Sequence, residues 1–234
     1  KIRVTGGEPL IRRGVHELFE GLGALAGLDS LALTTNGSQL ADSGHALRDA
    51  GVNSINISLD SLQAERFKAI TRIGDLNTVL RGIDRAVECG FDRIRLNAVI
   101  LDGLNRDEVV PLTHYALEKG IHIAFIEEMP LGQVNLGGKP LAYVSSDTLQ
   151  EELTEHFTLV PMTASDTAGP ARDFLIAGSQ TQVGFISPHS HNFCAQCNRL
   201  RISAEGRLLM CLGNEESIDL RGLLRTGSTD EDIK

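Results

Sequence analysis

Three cysteines crowd near the C-terminus as Cys194-x2-Cys197-x13-Cys211. Thiolates at this spacing close on one metal centre, because a short turn holds the first two and a hairpin returns the third. Three ligands leave one position unfilled. Zinc would complete its tetrahedron with His189 or His191, whereas a 4Fe-4S cluster would keep one iron as an open Lewis acid for a substrate. Spacing alone leaves zinc, iron-sulfur and plain buried thiols all open. Arg199 and Arg201 follow directly, and on an extended strand they point to one side. Their planar forks suit phosphate oxygens. A solvated face is the ordinary meaning of two such arginines, but three neighbouring cysteines favour a phosphate site.

A second source of chemistry lies upstream. In Ile55-Asn56-Ile57-Ser58-Leu59-Asp60 the alternation is strict, with Asn56, Ser58 and Asp60 on the face opposite the apolar residues. A parallel strand has helices packed on one side, so polar residues on the other are expected to line a cavity. The same pattern places Arg93, Arg95 and Asn97 on one face, Arg3 with Thr5, and Glu127 with Met129. Gly6-Gly7-Glu8-Pro9 and Thr34-Thr35-Asn36-Gly37 each follow a strand at its C-terminal end, where such sheets bind ligands. Glycines there admit a ligand to the backbone, and Glu8 is placed to accept from an ammonium. Cys89 reads as a small buried hydrophobe. His16, His45, His114 and His156 lack metal-ligand spacing.

These residues need elements to position them. Short β-branched runs at 2–5, 31–35, 54–60, 93–100 and 122–127 predict strands, and amphipathic stretches at 15–25, 39–50, 78–89 and 107–119 predict helices between them. Repeated strand-then-helix units indicate a (β/α) barrel or part of one. A proline- and glycine-rich stretch around 129–143 reads as a long connection. This divides the chain into 1–143, a partial barrel, and 144–234, with helices near 146–156 and 218–225 around several short strands and the cysteines.

The 234 residues, 41% hydrophobic and 23% charged, suffice for a buried core and exclude disorder. A formal charge of −9 and the absence of tryptophan argue against coating a polynucleotide, so an anionic substrate requires a local arginine cluster. No apolar run reaches membrane-spanning length and no leader opens the chain, so a cytoplasmic location is expected, or the mitochondrial matrix in a eukaryote.

Taken in order, Gly6-Gly7-Glu8-Pro9-Leu10, Thr34-Thr35-Asn36-Gly37, Ile55 to Leu62, Phe125-Ile126-Glu127-Glu128-Met129-Pro130, Gly169-Pro170-Ala171-Arg172 and Phe193-Cys194-x2-Cys197-Asn198-Arg199-Leu200-Arg201 resemble the GTP 3′,8-cyclases. These form the molybdenum cofactor biosynthesis protein A family of the radical S-adenosylmethionine (SAM) enzymes. The resemblance implies an incomplete barrel closed by a C-terminal segment whose 4Fe-4S cluster sits on Cys194, Cys197 and Cys211 and binds GTP. It further implies that Gly7, Ser58 and Met129 contact S-adenosylmethionine and that Arg3, Thr34, Arg95, Arg199 and Arg201 line the GTP site. Position 95 departs from the family's usual Lys. The implied reaction cleaves S-adenosylmethionine to a 5′-deoxyadenosyl radical and yields 3′,8-cyclo-7,8-dihydro-GTP. It needs an electron donor and feeds a cyclic pyranopterin monophosphate synthase; a homodimer is compatible with it. The family's Cys-x3-Cys-x2-Cys motif for the first cluster is absent from these residues, so the chain is expected to be an inactive fragment lacking the preceding strand and the C-terminal tail. Two other readings are a non-catalytic zinc-bearing nucleotide module and a radical SAM enzyme acting on a peptide.

Overall fold

The computed structural model describes residues 1–129, 142–163, 169–191, 197–211 and 216–233. Contacts divide the chain into two compact units, 1–192 and 193–234. In the first, β1 (Ile2–Val4), β2 (Leu31–Thr35), β3 (Val52–Ser58), β4 (Arg93–Asp102) and β5 (His122–Glu127) run parallel in that order, as their alternation predicts. Short β6 (Ala142–Tyr143) pairs antiparallel with the end of β4. The sheet continues from β5 to a sixth parallel strand, β9 (Gln182–Ile186), then to antiparallel β8 (Ala171–Ile176) and β7 (Leu159–Pro161). Helices α1 (Val15–Gly23), α2 (Leu40–Asp49), α3 (Ala64–Thr71), α4 (Leu76–Glu88), α5 (Val109–Lys119) and α6 (Ser146–Thr154) occupy the connections. The result is a partial (β/α) barrel.

One face of the sheet is apolar. Leu33, Ile55, Ile57, Leu96, Ile123, Phe125, Val183 and Phe185 are fully buried there, in one core with Phe19, Leu40, Leu47, Ile83, Leu112 and Leu153 from the helices. Burial on this scale supplies most of the driving force, about 1.5–3 kcal/mol per large side chain. Capping sets the ends: Asp75 accepts from the Thr78 amide at 2.8 Å to start α4, and Ser145 accepts from the Thr148 amide at 3.2 Å to start α6. Gly120, at φ 66°, closes α5. A close approach requires glycine at position 82: a Cβ there would lie 2.3 Å from the carbonyl oxygen of Gly37. This seats α4 directly under the Thr34-Thr35-Asn36-Gly37 turn.

Some expectations shift. Helix α3 was not foreseen, since Phe67 alone of its eight residues is buried and leaves no apolar period to read. Leu18 and Leu25, apolar positions of the amphipathic stretch 15–25, are 48% and 51% exposed, and α1 ends before Leu25. The Pro130 to Pro140 part of the expected connection lies outside the described residues. The second unit contains an antiparallel sheet, β10 (Arg201–Ile202), β11 (Arg207–Leu209) and β12 (Ser217–Asp219), followed by α7 (Leu220–Arg225) and α8 (Asp230–Ile233). The last helix begins two residues later than expected because β12 takes Ile218 into the sheet. Among the described residues no helix is long and apolar enough to cross a membrane.

Candidate functional site

The other face of the sheet is polar, and register shows how it is assembled. Arg3, Ala32, Ser54 and Arg93 form one rung across β1 to β4; Thr34, Asn56, Arg95 and His122 form the next across β2 to β5. Above them lie Ser58, Asn97, Ala124, Gly184 and Asp173. Three expected GTP residues, Arg3, Thr34 and Arg95, therefore share one face. Arg3 donates to the Thr34 hydroxyl at 3.1 Å. Arg95, buried, donates to Asp173 at 2.7 Å, while Arg93 donates to the Gln182 side chain at 2.9 Å and lies 3.7 Å from Asp173.

Positive charge is concentrated here. Burial, with the charges of Arg3, Arg93 and Arg95, pulls the Lys1 ammonium below its ordinary value; burial and Arg93 do the same to Arg3. His122 is brought down to about 4, by burial first and then by Arg93 and Arg95, so its ring is neutral. Its Nδ1 accordingly accepts the Gln182 amide at 3.1 Å. Lys1, His122, Gln182 and Asp173 were not singled out from sequence. Only the register, which brings β9 and β8 beside β5, reveals the last two.

The expected S-adenosylmethionine contacts lie at or beyond C-terminal strand ends. Gly7 follows β1, Ser58 ends β3, and Met129, 39% exposed, follows β5. The turns bearing them are tied down. Glu8, expected to receive a ligand ammonium, instead accepts from the Thr35 hydroxyl at 2.8 Å, the Asn36 amide at 2.6 Å and the Leu10 amide at 3.0 Å. It ties the turn after β1 to the turn after β2. Beyond Ser58, buried Asn105 donates to the carbonyls of Asp60 and Val99 at 2.8 and 2.9 Å and accepts from the Leu101 amide at 3.0 Å. Buried Glu108 accepts from the Ser61 hydroxyl and the Leu62 amide, both at 2.5 Å, and pairs with Arg66 at 2.6 Å. Asn105 and Glu108 fall where sequence indicated only a helix start. Asp60 accepts from the Val99 amide at 2.8 Å, and burial still raises its carboxyl to about 6.

Glu127 is a correction. The strand register pairs it with Ile100, on the helix-covered face, and the polar side of β5 carries Ala124 and Ile126 instead. Burial opposes its charge, but the Ser190 hydroxyl and the amides of Ser146, Ser190 and His189 donate to it and bring it down to about 2. A polar residue at a strand end here joins a helix N-terminus and a turn rather than a cavity.

In the second unit, Cys197 and Cys211 are exposed and not disulfide-bonded; Cys194 lies outside the described residues. The Arg199 backbone amide, then its side chain, pulls the Cys197 thiol below its ordinary value, and the guanidinium stands 3.7 Å from the sulfur. Two accessible cysteines, Cys197 with a guanidinium beside it, are soft donors that fit the iron-sulfur cluster the motif implies. Arg201 lies on β10, paired with Leu209. The histidines considered for zinc have other partners: His189 contacts the Glu128 carbonyl and His191 contacts Asp147.

A partial parallel barrel with one polar face fits the class that the family comparisons show. Residues 1–116 match the radical SAM superfamily, and residues 121–234 match the Molybdenum Cofactor Synthesis C family. The backbone resembles the crystal structure of SuiB from Streptococcus suis, with TM-score 0.66 and 15% identity, over 97% of this chain and 55% of that one. The GTP 3′,8-cyclase of Saccharophagus degradans is 52% identical over 96% of this chain and 68% of its own length; that of Pseudomonas entomophila is 55% identical over 96% and 67%. The chain belongs to the GTP 3′,8-cyclase family.

Proposed function

We propose that this chain carries the GTP and S-adenosylmethionine sites of a GTP 3′,8-cyclase in molybdenum cofactor biosynthesis. The observation that carries the reading is the gathering of Lys1, Arg3, Arg93 and Arg95 on one polar face of a chain whose overall charge is −9. Such a cluster in partly buried surroundings attracts a triphosphate far more strongly than the same charges in open water. The Arg3 and Arg95 guanidiniums grip phosphate oxygens, and Thr34 fixes the direction of Arg3. Neutral His122 donates or accepts without adding charge. In this reading the first unit, residues 1–192, provides the barrel, and Cys194, Cys197 and Cys211 are the cluster ligands, followed in sequence by Arg199 and Arg201.

Gly7, Ser58 and Met129, at or beyond C-terminal strand ends, would hold S-adenosylmethionine. When bound, the clusters and S-adenosylmethionine supply the electron and the radical chemistry; the chain orients the reactants and excludes water. The 234 residues contain no Cys-x3-Cys-x2-Cys, so by themselves they are expected to bind GTP without turning it over.

The test is anaerobic reconstitution with iron and sulfide, metal and sulfide analysis, and GTP titration by calorimetry. Bound iron with matching sulfide and GTP affinity lost in Arg199→Ala and Arg201→Ala support the reading. Stoichiometric zinc without sulfide, or no GTP binding, overturns it.

A further inference from the structure

The cation cluster contains one carboxylate that the reading above does not use. Asp173 sits on β8, in register with Gly184 on β9 and on the same face as Arg93 and Arg95. Its Oδ1 accepts from Arg95 at 2.7 Å and its Oδ2 lies 3.7 Å from Arg93. The space is reserved: a Cβ at position 184 would stand 2.5 Å from Asp173 Oδ1 and 3.4 Å from Arg95 Nη1. Glycine here makes room for the ion pair. The buried Arg95 Nε has no hydrogen-bond partner among the described residues, so the guanidinium is only partly satisfied by this carboxylate.

We propose that Asp173 is an internal counter-ion that occupies Arg95 and Arg93 in the empty site and thereby lowers and tunes affinity for the substrate's phosphate groups. This rests on the triphosphate reading above. Two consequences follow from charge. Asp173 keeps the Arg95 fork in place before substrate arrives, and it repels the incoming phosphates, so a ligand must engage several cations at once to bind. A carboxylate that only stabilised a buried arginine would act in the opposite direction, since removing it would disorder Arg95 and weaken binding. The sign of the effect separates the two.

The experiment titrates the anaerobically reconstituted chain with GTP and with inorganic tripolyphosphate. Asp173→Asn, nearly isosteric, is expected to tighten both by about tenfold, the Coulomb cost of a like charge a few ångströms away in a partly solvated site. Asp173→Ser, which also removes the charge, should do likewise, while Asp173→Glu keeps affinity near the parent. Arg3→Gln should weaken both ligands. If the parent binds neither ligand, or Arg3→Gln leaves affinity unchanged, the site reading fails and the proposal with it. If Arg3→Gln weakens binding but folded Asp173→Asn or Asp173→Ser binds no tighter than the parent, the counter-ion proposal alone is overturned.

Discussion

Asp60 shows how one carboxyl can report on the site without taking part in chemistry. Its folded value of about 6 stands above the ordinary 3.8, because burial outweighs the Val99 amide. Between these values the folded protein retains a proton that the unfolded chain has released, so stability falls as pH rises from about 4 to 6. Asp60→Asn keeps the acceptor for Val99 and removes the titration. Relative to the parent it should therefore gain stability across this window, by about 1–2 kcal/mol at pH 7 after allowing for partial exposure, measured by urea denaturation at several pH values. Alternation in the sequence placed Asn56, Ser58, Arg93, Arg95 and Asn97 on one face, and the register agrees, whereas Asp60, expected with them, lies beyond the end of β3. The rule failed at Glu127, where three backbone amides compete for a carboxylate and outweigh any cavity. Periodicity cannot register donors that come from distant segments.

At the scale of elements, the turns at the C-terminal strand ends are braced by side chains that take the place of missing backbone partners. Asn105 links the ends of β3 and β4 through three hydrogen bonds, all to backbone. Asn105→Ala should cost about 3 kcal/mol, since it strands buried donors and acceptors that water cannot reach. In hydrogen exchange, amides at 99–102 should lose protection before those of β1 and β2; uniform loss across the sheet would contradict this hub. The parallel strands β1 to β5 were legible from sequence because β-branched runs alternate with amphipathic ones. Strands β7 to β9 were not individually legible, for the pairing of β9 with β5, and of β8 and β7 beyond it, depends on long-range contacts.

For the whole molecule, the contrast between a net charge of −9 and a positive inner face means that the protein discriminates by location rather than by overall charge. Substrate affinity should weaken as salt rises, because Lys1 and Arg3 are exposed and screening reaches them, while buried Arg95 is screened less. Tripolyphosphate titrations at 50 and 300 mM salt should differ by about tenfold or more, whereas a ligand without phosphates should show little change. The domain-level meaning of the cysteine cluster was readable from spacing alone, but its metal was not. Thiolate stabilisation suits zinc and iron alike, so the preference for an iron-sulfur cluster rests on the family match rather than on the surroundings of Cys197.

The missing side chain at position 184 also constrains how such a protein can drift. A methyl group there collides with Asp173, so the two sites form one mutational unit. Alanine at 184 would push the Asp173 carboxylate off Arg95, and a shorter residue at 173 removes that conflict. Neighbouring descendants should therefore be found in matched pairs of small and large residues at these positions, with the mismatched intermediate purged.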